Sequence, residues 1–409
     1  MASELRSQIL EILFGLQGYS LKGLKLIGKK IYLDVETSGD HRCSVCNKTL
    51  NESKYDSHIR VIYIGVVNKR AVFVRFKQYR LLCSDCGIKV ELQTISEGKS
   101  RYSKSVGSLV IHYTQYTSCS EASRLLGIPE RTVREIDKNE LQKHIENHIR
   151  HVFEVQQIGI DEVAHKKGHN YGTVVINHLT GKVIWMSKDR TSESLKKIYA
   201  KFEIPFESLK VASMDFWKPY FKATQETFPE VLIVYDLFHL ARILNRYIEN
   251  ERRLYQKTLS DEERKYIKKH TRWILLRRRK NFKDYHEDRL QELKKKNERL
   301  YEMYLLKEDF LSIFDRNNDR KTAEQMILEW IENIKKTTFE ALKKFARSII
   351  DRLQTILNWF DCPVSNGKSE GINNVIKTLL KRGYGYKDFE YFRLKVLQKC
   401  GYLMVNLNE

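Results

Sequence analysis

Val155-Gln-Gln-Ile-Gly-Ile-Asp161 reads as a strand that closes on a carboxylate, and Leu209-Lys-Val-Ala-Ser-Met-Asp215 repeats the pattern further along. Between them, after a loop holding Lys166, Lys167 and Gly168, Gly172-Thr-Val-Val-Ile-Asn177 is a second apolar run. Thr180-Gly181 turns the chain, and Val183–Met186 is a third. Links this short suit an antiparallel meander. Helical spacing over 191–203 precedes the strand ending at Asp215, and another helix precedes a fifth strand, Val231–Asp236.

The order β-β-β-α-β-α-β is the layout of a ribonuclease H-like α/β fold. That layout puts carboxylates at the ends of two adjacent central strands. In-line attack on a phosphodiester is helped by two divalent ions about 4 Å apart. Mg2+ or Mn2+ takes hard oxygen ligands and keeps several waters, so a few carboxylates suffice. One strand-end aspartate alone is equally a loop cap or an ion-pair partner. A third acid comes from Ser365-Asn-Gly-Lys-Ser-Glu-Gly-Ile-Asn-Asn-Val-Ile-Lys377, where Ile372, Val375, Ile376 and Leu379 mark a helix and Glu370 falls in its first turn. By pattern alone, Glu370 is an ordinary helix-terminal charge.

Composition narrows the partners. The 73 Lys and Arg exceed the 52 Asp and Glu by enough to give +21, and such a surface attracts polyanions in a salt-dependent way. No apolar run is long enough for a membrane span. The first residues carry charges among leucines and isoleucines and lack a signal-peptide pattern. The chain is therefore expected in the cytoplasm, with the nucleoid. Residues 1–40 begin with an amphipathic helix (Leu5, Ile9, Ile12, Leu13, Leu16) followed by a strand over Lys30–Glu36.

Four of the seven cysteines form two CxxC pairs, Cys43/Cys46 and Cys83/Cys86. Two such turns aim four thiolates at one tetrahedral ion, a closed structural zinc site, whereas Cys119, Cys362 and Cys400 are isolated. The alternating stretch Val61–Tyr79 would be the β-ribbon that joins the knuckles. Gly87 after the second pair suits positive φ, and His41 and His58 are nearby substitutes as ligands. Residues 119–136 read as a helix-turn-helix. Ala122, Ser123 and Leu126 face inward, Gly127 turns, Ile128 fills the core, and Val133 and Ile136 anchor the second helix. That helix exposes Arg131, Thr132 and Arg134 for phosphates or base edges. A plain helical hairpin is the alternative.

The strings Ile158-Gly-Ile-Asp-Glu162, Lys167-Gly-His169, Met214-Asp215, Tyr235-Asp-Leu-Phe-His239, Ser369-Glu-Gly-Ile-Asn-Asn374, Lys381-Arg-Gly-Tyr-Gly-Tyr386 and Phe389-Glu-Tyr-Phe-Arg-Leu394 resemble the ISL3 family of insertion-sequence transposases. The resemblance spans nearly the whole chain. It implies that Asp161, Asp215 and Glu370 are a DDE triad binding Mg2+ or Mn2+. It also implies an all-helical insertion in the long gap before Glu370. The glycine-poor stretch around 245–350 agrees. Its basic run, Lys268–Lys280 with Arg277, Arg278 and Arg279, is a candidate DNA face or a solvated helix surface. Trp273 either stacks on an unpaired base or fills a core. Asp236 and His239 either order the active site or form a helix cap with a packed histidine. Lys166, Lys167, Lys377, Lys381 and Arg382 are further candidate DNA contacts. The expected domains are 41–95 (zinc), 100–150 (helix-turn-helix), 151–245 with 355–409 (catalytic) and 246–354 (insertion). The expected function is Mg2+-dependent cleavage and strand transfer at terminal inverted repeats of double-stranded DNA, by a homodimer on DNA. A non-catalytic regulator and a ribonuclease H-like nuclease without strand transfer are the alternatives.

Overall fold

The computed structural model describes residues 8, 10–166, 170–316, 318–364 and 367–403. They divide into two compact units. One holds the residues up to Ile149 with Leu379–Lys399, and the other Arg150–Thr378 with Cys400–Tyr402.

The first unit opens with a five-stranded sheet. Its strands are β1 (Tyr19–Ile27), β2 (Lys30–Thr37), β3 (Lys54–Val67), β4 (Arg70–Cys83) and β5 (Gly87–Val90), in the order β1-β2-β4-β3 with β5 beside β4. The ribbon expected over 61–79 is the β3–β4 hairpin. Its two-residue turn, Asn68-Lys69, holds both residues at positive φ (48° and 60°), the twist that a tight hairpin needs. Leu33, Val35, Ile62, Val72, Val74 and Phe76 bury one face of the sheet. The amino-terminal helix packs there in a different register from the one expected. Leu10 and Leu16 are buried, whereas Ile12 and Leu13 are exposed. Gly15 at φ +64° turns the chain so that Leu16 comes back to the sheet. Leu5 and Ile9 lie outside the described residues.

Three helices follow: α1 (Lys104–Tyr116), α2 (Cys119–Leu126) and α3 (Glu130–Lys143). Ser118 and Glu121 cap α2 reciprocally, and Gly127 ends it in the left-handed region at φ 63°. Ala122, Leu126, Ile128 and Val133 bury a common core with Val106 and Val110. Ser123 is half-buried and its hydroxyl holds Ile128 O at 2.6 Å, across the turn. A helix from the other end of the chain, α8 (Phe389–Cys400), packs in this unit. Lys395 Nζ lies 3.0 Å from Asp137 Oδ2 and 3.2 Å from Thr114 Oγ1, and the Tyr391 hydroxyl donates to Asp137 Oδ2 at 2.5 Å. All four groups are buried, so each charge finds its compensation here. The span 355–409, expected as one piece, is thus shared between the two units.

The second unit is built on another five-stranded sheet: β6 (Gln157–Lys166), β7 (Asn170–Asn177), β8 (Lys182–Ser187), β9 (Val211–Met214) and β10 (Leu232–Tyr235), in the order β10-β9-β6-β7-β8. β6, β7 and β8 are an antiparallel meander, and β9 and β10 add in parallel on the other side of β6. Helices α4 (Ser192–Lys201) and α5 (Lys218–Thr227) make the crossovers. Tyr199 and Tyr220 are buried beside this sheet, their hydroxyls bonded to Thr224 and Thr173. Helix α6 (Leu237–Gln256) leaves β10 and runs without a break past residue 246. Among the described residues, only helices and connections follow it. Phe310, Trp330 and Phe345 form an aromatic core for this helical region. The chain returns to the sheet at the helix Leu353–Asp361, where the Asn358 amide donates to Ile233 O at 2.8 Å. Helix α7 (Gly367–Arg382) then carries Glu370.

Candidate active site

Strand register decides how the two aspartates meet. β6 and β9 pair in parallel up to Ile160↔Met214. Asp161 and Asp215 are therefore the next positions on neighbouring strands. Asp161 is not at a strand end, as its sequence suggested. β6 continues to Lys166 because β7 goes on pairing with it after β9 has stopped. The carboxylate thus sits on a rigid central strand, at the point where one neighbour ends.

A cleft of about 950 Å³ opens at this point, and Asp161, Asp215, Asp236, His239, Glu370 and Asn373 all line it. The Asp161 carboxylate accepts from its neighbour's backbone, Glu162 N, at 2.7 Å and from Asn373 Nδ2 at 2.6 Å. Burial and then the charge of Asp215 push its pKa up to about 6, against the opposing pull of its hydrogen bonds and of His239. Two negative charges side by side in a half-buried cleft are what a cation would relieve.

Asp236 caps its helix, as one of the two readings expects, and it also holds His239. Its Oδ1 caps α6 by accepting from Phe238 N at 3.2 Å, and its Oδ2 lies 2.8 Å from His239 Nδ1. The same ring nitrogen lies 2.6 Å from Asp215 Oδ1. One N–H faces two carboxylates. It is directed at Asp236, and Asp215 Oδ1 remains buried with no hydrogen-bond donor. Burial lowers the pKa of His239, but the close carboxylates of Asp215 and Asp236 outweigh that and raise it to about 10. Asp215, Asp236 and His239 lie close enough together, within 4.8 Å atom to atom, to hold a metal ion as they stand. The third sequence-predicted acid, Glu370, is exposed at the cleft wall. Its turn of α7 is tied down by Lys368, which donates to His178 O at 2.6 Å and to Leu179 O at 3.1 Å.

A model of the ISL3 transposase family matches residues 158–396, from β6 through most of α8. The chain belongs to this family. It is 26% identical over 399 residues to the transposase for insertion sequence element IS1001 of Bordetella parapertussis, covering 95% of this chain and 97% of that one. It is 22% identical over 298 residues to the transposase for IS1557 of Mycobacterium tuberculosis, covering 66% of each. A solved structure, the Drosophila P element transposase strand transfer complex, aligns with a TM-score of 0.35 at 9% identity over 73% of this chain and 92% of that one, too distant to bear on the fold.

In this insertion-sequence transposase the four paired cysteines form one cluster, with their sulfurs within 4.8 Å of one another. Cys46 and Cys83 sulfurs are 3.5 Å apart, and Gly87 has the positive φ (71°) expected of it. Hydrogen bonds from Cys46 and Val45 N–H pull the Cys43 thiol down to about 7, while the facing sulfurs push Cys86 up to about 12, as thiols crowded together without a shared cation do. His41 is not part of the cluster. Its ring is bonded to Glu91 at 2.8 Å and packs edge-on against Tyr79. His58 pairs with Gln78 along the β3–β4 ribbon and is exposed.

The expected DNA contacts fare unevenly. Arg131 and Arg134 are exposed on α3 but ion-paired to Glu135 and Glu130, and Thr132 is half-buried. Lys166 and Lys381 are exposed, Lys377 lines the cleft, and Arg382 is half-buried; Lys167 lies outside the described residues. The run 277–279 is not a free cationic ridge. Arg278 is held by Asp315 and Glu308, and Arg279 by Glu287. Trp273 is 70% exposed, so it fills no core, and it carries Arg272 over its ring at 5.1 Å. Sequence reasoning missed Asn373, Arg190, Arg242 and Arg246, which also line the cleft. Asn373 had a usable signal: it lies one helical turn after Glu370 and hence on the same face. The arginines had none, because their placement depends on tertiary packing.

Among the described residues no helix is long and apolar enough to cross a membrane.

Proposed function

We propose that this transposase is a DDE-type enzyme with a ribonuclease H-like catalytic core, and that it cleaves element ends and transfers the freed strands. The strand order β10-β9-β6-β7-β8 supports the fold assignment. The observation that carries the activity is the pairing of Asp161 and Asp215 at the end of the β6–β9 register, with Asp215 Oδ1 buried and lacking a donor, in a cleft that Glu370 also lines. Hard carboxylate oxygens of this kind suit Mg2+ or Mn2+. Asp161, Asp215 and Glu370 would hold the ions, which when bound supply Lewis acidity at the phosphodiester.

The remaining residues prepare that site. Asn373 orients Asp161. Asp236 fixes His239, whose ring sets the Asp215 carboxylate. Lys368 anchors the turn that presents Glu370. The four-cysteine cluster would hold a structural Zn2+, and α3 would read the terminal repeats. Holding two ends together calls for at least two copies on DNA. The decisive experiment incubates labelled element ends with Mg2+ and either the wild type or Asp215→Ala. Nicking and joining by the wild type alone supports the proposal. Tight end binding with no cleavage by either protein would make it a regulator instead, and nicking without joining would make it a nuclease.

A further inference from the structure

Arg190 stands on the wall of the same cleft, in the short loop after β8. The backbone of that loop is fixed from three elements. His165 on β6 reaches Lys188 O at 3.2 Å, Thr173 on β7 donates to Asp189 O at 2.7 Å, and the Trp217 indole at the start of α5 donates to Arg190 O at 3.1 Å. Three successive carbonyls are each held by a side chain. The guanidinium is fixed as well. Its carbon lies 4.8 Å from the Tyr171 ring centroid and 4.6 Å from that of Trp217. Nη1 donates to Glu162 Oε2 at 2.9 Å, and among the described residues that is the guanidinium's one hydrogen bond. The side chain is nevertheless 38% exposed.

An ion pair to Glu162 would need neither the two aromatic rings nor the pinned loop. A stacked guanidinium is weakly hydrated, cannot swing away, and keeps its remaining N–H donors in one plane, the geometry that matches a phosphate. The cleft also needs such a group. Asp161, Glu162, Asp215, Asp236 and Glu370 together repel a phosphodiester, and a fixed cation beside them offsets that repulsion. We propose that Arg190 is a phosphate-binding residue that seats a non-bridging oxygen of the DNA strand entering the cleft. This rests on the reading of the cleft as the DNA-cutting site.

The test replaces single phosphates around the cleavage position with neutral methylphosphonates. It compares wild type, Arg190→Ala and Arg190→Lys, first as end binding in Ca2+ and then as cleavage in Mg2+. At one position the wild type should lose affinity on neutralisation while Arg190→Ala loses nothing more. Cleavage by Arg190→Ala should fall on the order of 100-fold. Arg190→Lys should recover little, since it keeps the charge but loses the fork and the stacking. Methylphosphonate penalties in Arg190→Ala that match the wild type at every position would overturn the proposal, as would cleavage by both variants within a few-fold of the wild type. If the wild type shows an Arg190-dependent position in binding yet never nicks, the phosphate site stands and the catalytic reading of the cleft fails.

Discussion

Asp161→Asn should make the metal-free protein more stable, and by an amount that depends on pH. A carboxyl that titrates near 6 in the folded state and near 3.8 when free binds its proton more tightly once folded. Its stabilising contribution is complete below the free value and is lost as pH rises through about 6. Fully ionised, the carboxylate costs the fold about 3 kcal/mol, at about 1.4 kcal/mol per tenfold change in affinity for the proton. The cleft is open to water, so the expected gain from the amide is about 1–3 kcal/mol at pH 8 and about half that at pH 5. The amide keeps the shape: its oxygen stays on Glu162 N, and Asn373 meets its NH2 by turning its own amide to accept. All five tryptophans, Trp185, Trp217, Trp273, Trp330 and Trp359, fall within the second unit. Urea unfolding followed by tryptophan fluorescence in EDTA therefore reports on the unit that carries the cleft. Added Mg2+ should stabilise the wild type and leave the variant unmoved. A variant no more stable than the wild type at pH 8, or one whose advantage is the same at pH 5, would refute the claim that Asp161 is held charged at a cost.

Other outcomes follow from the remaining sites. Lys395→Met leaves the Asp137 carboxylate buried without its cation and should cost about 3–5 kcal/mol, read as early loss of α-helical circular dichroism in urea; loss of under 1 kcal/mol would mean that the pair is not what fixes α8. Cys43→Ser should abolish stoichiometric zinc in metal analysis of the purified protein and weaken end binding, and a full zinc complement would refute the four-cysteine site. Gly127→Ala should cost on the order of 1 kcal/mol, because a side chain is strained at φ +63°.

Much of the cleft was legible because the signals are local. Two apolar runs each closing on an aspartate gave the strands, and local chemistry alone marked positive φ at Gly87 and a tight turn at Gly127. Glu370 was different: as a helix-terminal acid it is ordinary, and only the family strings around it lifted it out. Asp161 reads as a strand end because it closes the apolar run that begins at Val155. The strand nevertheless runs on, since its later pairing partner is β7 and not β9. The placement of α8 was illegible for a stronger reason. Lys395 sits in a helix whose residues Leu394 to Gln398 are all buried, and its partner Asp137 is 258 residues away. No period in a sequence reports such a pair. Arg278 and Arg279 read as a basic ridge until Asp315 and Glu287, distant or on another helix, took up their charges.

The central claim is that Asp161, Asp215 and Glu370 present oxygen ligands to the catalytic metal. The most direct measurement replaces each in turn with cysteine and follows cleavage of labelled element ends in Mg2+ and in Mn2+. A thiolate is a poor ligand for Mg2+ and a tolerable one for Mn2+. All three variants should be inactive in Mg2+ while still binding the ends, and should regain part of their cleavage in Mn2+. Cleavage at the wild-type rate in Mg2+ by any one of them would contradict the assignment of that residue.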